Sequence, residues 1–538
     1  MQYRCSKPKT MKEKEMKSNS MPDVKLLTLG LAVAALAGCS MIPSICKKIP
    51  SVGPDYREPE FRVPEYALPD AGQPTSNLTE TAEYKPAASN EDTRIVVSND
   101  ILAKWWKRFD DPVLEALVEG GVSNNVGYLM AQRRLEEASW DLLGSYANFL
   151  PDFSARGGWT RYWYHPNTRS GGGNRVHYNV TQTIFDGNWE IDIFGGNRRL
   201  TEAALAQAEA AGWTMADAWL SLTTQIGEMY ITLRTTQARI DVARTNLVLQ
   251  SETYDILKSR LDSGIGDELA VNQCAYVVEQ TRARIPSLIA QEERIKNALA
   301  ILAGERPGAL HDLLKPVSVR RDWLLAPQKV EEISLDMMRG RPDVKSAERA
   351  LAAQVYRIGV ATAAWFPKLY ISGTVGWERK GGNKLFTADS FLATLGPSIS
   401  WPIFQGGAIY ANIRQTEAKT SELALAYELA IENAYGEVRN AYAAYTHEYL
   451  RNKSLAGAVK AATDAVTTSQ DLYKNGLKDF NNVLDAQRSR LQLEEEFVIS
   501  RGQITIDLIN LYKALGGGLS ADVADNEDDE EDDDSAKD

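Results

Sequence analysis

After Pro367 the chain alternates strictly, with Leu369, Ile371, Gly373, Val375 and Trp377 on one face and Tyr370, Ser372, Thr374, Gly376 and Glu378 on the other. That period of two predicts a strand. Residues 391–401 alternate likewise, with Phe391, Ala393, Leu395, Ile399 and Trp401 set against Thr394, Gly396, Ser398 and Ser400. Residues 153–164 and 178–185 give a weaker version, and the runs 167–174 and 380–383 between the members of each pair are rich in turn formers. Two hairpins are expected, at about 152–190 and 368–403.

A different period governs the rest. Between about 196 and 263, and again between about 407 and 475, no proline interrupts the chain, and at 1.5 Å per residue each stretch would reach roughly 100 Å as a helix. Ala204, Ala208, Ala211, Met215, Ala218, Leu222 and Met229 fall at steps of three, four and seven; Ile409, Ile413, Leu423, Tyr427, Ala430, Ala434, Ala441 and Ala444 follow a similar register. This is coiled-coil spacing. Each long helix is expected to end in a glycine turn and to return as a shorter one, giving helical pairs at about 196–302 and 407–515.

The two series belong to a duplication. Ala131–Ala138 followed by Phe149-Leu-Pro151 corresponds, at an offset of 216, to Ala347–Gln354 followed by Trp365-Phe-Pro367; Gly264-Ile-Gly-Asp267 corresponds to Gly476-Leu-Lys-Asp479 at an offset of 212. The halves are placed at 101–320 and 321–516.

Strands of about ten residues with aromatic ends, at Trp159, Trp163, Tyr164, Trp377 and Trp401, fit the girdle of a membrane β-barrel; a soluble sandwich is the competing reading. Strands in lipid must close so that no edge stays unpaired, and closure takes about eight or more. Four per chain cannot close, so the barrel reading demands an oligomer.

The ends of the chain carry its address. Six lysines precede the apolar run 26–38, which at 13 residues is short of the roughly 20 that span a bilayer as a helix, so a helical membrane protein is excluded. The run ends Leu36-Ala-Gly-Cys39. A basic leader, a short apolar segment and small residues describe a secretory signal at 1–38, and its last four residues resemble a bacterial lipobox, with Cys39 as the acylated new N-terminus and Ser40 resembling the outer membrane choice. An ordinary signal with a chance cysteine is the alternative. Residues 51 to about 99 are rich in Pro, Glu, Ser and Thr, and 39–100 are expected to be an anchor and extended tether. Residues 517–538 form an acidic tail that repels itself: eleven acids and one lysine lie in 521–538, leaving residues 39–520 near −6 of the total −12. That body lacks the basic footprint of a nucleic-acid binder. Four cysteines and four histidines make no cluster, and no nucleophile with a base, metal set or phosphate loop appears. No cofactor and no enzymatic activity are expected.

The ordered set Trp105-Trp106 with Phe109-Asp-Asp-Pro112, Trp189-Glu-Ile-Asp-Ile-Phe-Gly195, Arg341-Pro-Asp343 with Ala347-Glu348, Pro402-Ile-Phe404 with Gly406-Gly407, and Val483-Leu-Asp-Ala-Gln487 resembles the TolC-like outer membrane factors, in particular the outer membrane lipoproteins of resistance-nodulation-division efflux systems. The resemblance implies an α+β membrane protein: a homotrimer whose four strands per chain make a twelve-stranded outer membrane barrel, continued by a helical coiled-coil barrel in the periplasm. It implies passive conduction of drugs or toxic compounds delivered by an inner-membrane pump through a periplasmic adaptor, with outer membrane lipid around the barrel. It implies a periplasmic gate at Asp485, Asn482 and Asn481, where Asn482 replaces an aspartate of some members, and adaptor docking at the turns Gly264, Ile265, Gly266, Gly476 and Leu477. The outer component of a type I protein secretion system and a non-pore periplasmic coiled-coil lipoprotein remain as alternatives.

Overall fold

The computed structural model describes residues 51–59, 95–96, 104–165, 167, 175–316, 330–332, 335–382 and 384–517. The leader, Cys39, most of the tether and nearly all of the acidic tail lie outside the described residues. The helices are α1 Pro112–Asn124, α2 Val126–Ala147, α3 Gly196–Asp262, α4 Glu268–Leu302, α5 Pro342–Ala363, α6 Ala408–Lys474 and α7 Phe480–Ala514; the strands are β1 Ile95–Val96, β2 Asp152–Tyr164, β3 Val176–Ile191, β4 Val330–Glu332, β5 Lys368–Lys380 and β6 Phe391–Ser400. Mostly helical with a small antiparallel sheet, the fold is α+β.

Equivalent elements have equal lengths. Helices α2 and α5 have 22 residues each, α3 and α6 have 67, α4 and α7 have 35, and strands β2 and β5 have 13. The chain divides into a β unit, Phe149–Arg198 with Lys368–Ser400, and a helical unit that holds the remaining described residues from Val52 onward.

In the β unit the order is β2-β3-β5-β6, antiparallel throughout. Phe153 pairs Gly187, Gly187 pairs Gly373 and Gly373 pairs Leu395. The register therefore puts odd-numbered residues of all four strands on one face and even-numbered residues on the other.

The helical unit is centred on Trp105, Leu114, Tyr230, Ile231, Leu299, Met338, Val438, Leu508 and Tyr512, all almost wholly buried. The motifs at its entrance have structural work. Asp111 caps α1 through Val113 N (2.9 Å) and receives the hydroxyl of Tyr230. Gly227 lies so close to the Trp105 indole that an added Cβ would stand 2.2 Å from it. Arg341 donates to Ala514 O (2.7 Å) at the end of α7, to both carboxylate oxygens of Asp343 (3.0 and 2.8 Å) and to Glu437 (2.6 Å). It thereby satisfies a terminal helix carbonyl and is shared between two carboxylates.

Two expectations change here. The buried stripe of α6 runs Tyr427, Ile431, Ala434, Val438, Tyr442 and Tyr445, so Ala430 and Ala441 lie at its margin and Ala444 is exposed. Tyr427 and Ala434 are buried as the register predicts, and beyond them the rings of Tyr442 and Tyr445 fill the seam in place of Ala441 and Ala444. The extended tether is also packed along part of its length. Asp55 is ion-paired to Arg199 (2.5 Å), the Tyr56 hydroxyl donates to Glu348 (3.1 Å), Glu58 meets Lys345 (3.5 Å), and Gly53 rests against Gly359. A polar composition did not prevent docking because both acids, Asp55 and Glu58, find a cation on α3 or α5.

Candidate functional site

Two surfaces carry functional features, and each belongs to one unit. The first is the sheet. Its odd face presents Phe153, Trp159, Phe185, Trp189, Ile371, Val375, Trp377, Phe391, Leu395 and Ile399; exposure reaches 81% at Leu395, 72% at Ile399 and 70% at Phe153. A contiguous apolar sheet face of this size is not left in water by a soluble protein. Its even face carries, near the strand ends that join the helices, polar side chains that satisfy one another. Thr374 donates to Asp186 (2.9 Å), Ser372 to Asn188 (2.8 Å), Arg156 pairs with Asp186 (3.1 Å), and Lys368 with Glu190 (2.9 Å).

The five girdle candidates separate. Trp159, Trp163 and Trp377 occupy the odd, apolar face, and Arg161 covers Trp163 at 5.2 Å from its centroid. Tyr164, one residue beyond Trp163 in an extended strand, lies on the even face, where it stacks on Tyr162 at 5.8 Å. Trp401 follows β6 and donates Nε1–H to Trp365 O (3.0 Å); its counterpart in the first half, Trp189, donates to Phe149 O (2.9 Å). Phe149 and Trp365 correspond in the duplication, and Trp189 and Trp401 are related by the same offset of 212 that relates Gly264 to Gly476. Immediately after β6, Ile403 and Phe404 are 82% and 88% exposed.

Strands β2 and β6 each have one neighbour in the sheet. Among the described residues these outer edges have no strand partner, which leaves a row of backbone donors and acceptors open.

The second surface is the pair of turns that close α3–α4 and α6–α7. Both end in the same αL cap. Gly264 (φ +75°) and Gly476 (φ +70°) donate to Leu261 O (2.9 Å) and Tyr473 O (3.0 Å), while Ile265 and Leu477 donate to Arg260 O (3.1 Å) and Leu472 O (2.9 Å). Gly266 is required for another reason, because a Cβ there would lie 2.4 Å from Leu261 N. Ile265 and Leu477, which could have covered the preceding turn, are instead 72% and 68% exposed.

Beneath these turns Leu257, Val271, Cys274, Val278, Phe480 and Leu484 form one cluster, with Tyr473 edge-on to Phe480 at 5.2 Å. The two hairpins are thus joined by an apolar plug near their ends. Burial pushes the Cys274 thiol up to about 11, and its Sγ faces Gln250 O; it is a packing residue. Further along the same helices the contacts turn polar. Asn246 donates to Glu494 (2.8 Å) and accepts from Arg490 (3.2 Å), and Arg284 pairs with the buried Glu495 (3.0 Å).

The gate candidates sit on the first turns of α7. Asn481, Asn482 and Asp485 are exposed, whereas their neighbours Val483 and Leu484 are buried. Asn482 Nδ2 donates to Asp479 O (3.1 Å), and Asp485 approaches Arg488 at 3.6 Å, the Arg488 guanidinium lying over the Tyr276 ring. Within one chain the three form no shared site; all they share is an exposed position next to the plug. Among the described residues no group of His, Cys, Asp and Glu could hold a metal ion, and no helix is long and apolar enough to cross a membrane.

Comparison with known proteins agrees with this geometry. Residues 130–305 and 336–517 match the sequence profile of the outer membrane efflux protein family. The chain is 30% identical over 405 residues to nodulation protein T of Rhizobium leguminosarum bv. trifolii, covering 74% of this chain and 83% of that one. It is 27% identical over 504 residues to a toluene efflux pump outer membrane protein, TtgC, of Pseudomonas putida, covering 92% and 95%. Among solved structures, the outer-membrane channel OprN superposes with a TM-score of 0.75 at 30% identity, covering 87% of this chain and 99% of that one.

Proposed function

Since the chain belongs to the outer membrane efflux protein family, and is thus an outer membrane efflux channel rather than an enzyme, we propose that three copies close one twelve-stranded barrel and conduct small molecules passively from an inner-membrane pump and its periplasmic adaptor. The observation that carries this reading is the four-stranded sheet with one apolar face, one polar face and two open edges. Lipid requires the apolar face to point outward, and closure requires β6 of one copy to meet β2 of the next. Exposed Ile403 and Phe404 supply apolar surface for such an assembly. A non-pore coiled-coil spacer would have no use for that sheet.

Further assignments follow from the same reading. Cys39 is the acylated N-terminus and ties each copy to outer membrane lipid; with its barrel already embedded, the chain depends on the acyl group for sorting more than for retention. The turns at Gly264–Gly266 and Gly476–Leu477 are the adaptor-docking tips, their exposed Ile265 and Leu477 offering apolar anchors. Asp485, with Asn481 and Asn482, lines the resting constriction, where three symmetry-related carboxylates must be screened by water or counter-ions. Co-purification after crosslinking in cells tests the partner assignment. Recovery of an adaptor with a proton-driven pump, lost on replacing Ile265 and Leu477 by Asp, is expected; recovery of an ATP-driven exporter instead would move the chain to type I secretion.

A further inference from the structure

Conduction accounts for a polar inner face of the sheet, but not for an aromatic one. Near the strand ends where the chain enters from and leaves for the helices, that face carries Arg156, Asp186, Ser372 and Thr374, which bond to one another or to facing side chains. Toward the hairpin turns it changes character. Tyr162 and Tyr164 stack with planes 9° apart at 5.8 Å; Tyr178, paired with Tyr162 across the ladder, stands 5.2 Å from Tyr162 and 6.1 Å from Tyr164. Lys380 extends from the neighbouring strand and places its Nζ 3.9 Å from the Tyr178 centroid.

All four are even-numbered, so they share the face that holds Asp186 and Thr374. Rings that large are costly to leave on a water-facing wall unless something apolar covers them. Only half-buried by one another, they keep ring surface open. The ammonium over Tyr178 takes up one ring face, which disfavours a cationic guest and favours an anionic one. The next acid inward on β5, Glu378, faces Gln182 across the ladder, and no salt bridge between it and Lys380 forms among the described residues.

We propose that Tyr162, Tyr164, Tyr178 and Lys380 form a stacking site for planar aromatic acids at the hairpin-end mouth of the lumen: the ring of the solute lies on tyrosine and its carboxylate meets Lys380. The inference rests on the channel reading, because only closure into a barrel makes the even face a lumen and brings three such clusters around one opening. Its use is to hold amphipathic cargo at the exit while its apolar part is shielded from water.

The test uses the full-length protein in planar bilayers, with 1-naphthoate added on the barrel side. Naphthoate is expected to block the current reversibly, while cyclohexanecarboxylate, of equal charge but without a π face, is not. That comparison needs no variant and so does not depend on folding of a mutant. Tyr162→Ser and Tyr178→Ser should each raise the half-blocking concentration by roughly two- to tenfold. Lys380→Gln should raise it for naphthoate and leave neutral naphthalenemethanol unchanged. Equal block by both carboxylates, or naphthoate block that survives Tyr162→Ser/Tyr178→Ser, overturns the site while leaving the channel intact. A trimer that carries no current even with Asp485→Ala removes the channel reading and this inference together.

Discussion

Leu395→Arg and Thr394→Arg differ by one position in β6 and by a whole face of the sheet. Leu395 lies four residues from Phe391 and four from Ile399, the apolar limits of its strand. That is about 13 Å of strand either way, or about 10 Å along the membrane normal at a tilt near 40°. It therefore sits near the middle of the apolar band, where an outward-facing arginine costs about 2–4 kcal/mol. A closed trimer repeats the cost three times, for about 6–12 kcal/mol, a sum comparable to the whole stability of many domains. Thr394 pairs with Thr374, which bonds Asp186, so an arginine there enters water and gains an acid nearby; a change within about 1 kcal/mol is expected. Urea-driven folding into phosphatidylcholine vesicles, scored by the SDS-resistant oligomer, measures both. If Thr394→Arg proves as damaging as Leu395→Arg, or Leu395→Arg folds like the parent, the faces have been assigned wrongly.

Other expected outcomes are more local. Gly264→Val and Gly476→Val each force a β-branched residue into a left-handed conformation, at a cost of about 1–3 kcal/mol, and hydrogen exchange should loosen the two turns without touching the core around Trp105. The His311 ring is held by Glu293, which raises the imidazole above its ordinary 6.5 and lowers the carboxylate below its ordinary 4.5. The contact is therefore complete below pH 6.5 down to the ordinary carboxylate range, and is lost as pH rises through the raised imidazole value; exchange protection of the 308–314 turn should fall as pH rises above 6.5, and His311→Gln should abolish that dependence. Asp485→Ala should raise basal conductance and weaken block by polyvalent cations, and Asn482→Asp should strengthen that block; recordings in which both match the parent place the constriction elsewhere. Cys39→Ala should impair sorting more than conductance, and an unacylated mature N-terminus by mass spectrometry contradicts the lipid assignment.

Periodicity made the strands readable because a sheet with one face in lipid and one in water must alternate, and residues 369–377 do so without exception. The long helices were readable from the absence of proline and the repeated glycine turns, whose αL caps no other residue supplies as cheaply. Other features depend on partners distant in sequence. Tyr164 reads as one more interfacial aromatic until the register shows that it and Trp163 face opposite ways. The α6 register continues from Tyr427 through Ala441 and Ala444 by spacing alone, yet Tyr442 and Tyr445, one position on, are the residues buried in the seam. Arg341, 173 residues before the carbonyl it caps, gives no local sign of that role, and neither does the docking of Asp55 on Arg199. The gate residues are the least legible, since what would make a ring of Asp485 is symmetry between chains.

The central claim is that the sheet closes only between copies and then encloses a lumen. Full-length protein extracted from outer membranes in mild detergent should sediment as a trimer, and the same fraction should give discrete unitary currents in planar bilayers that disappear when the trimer is dissociated. Unitary currents from a monomeric fraction, or a stable trimer that never conducts even with Asp485→Ala, would contradict it.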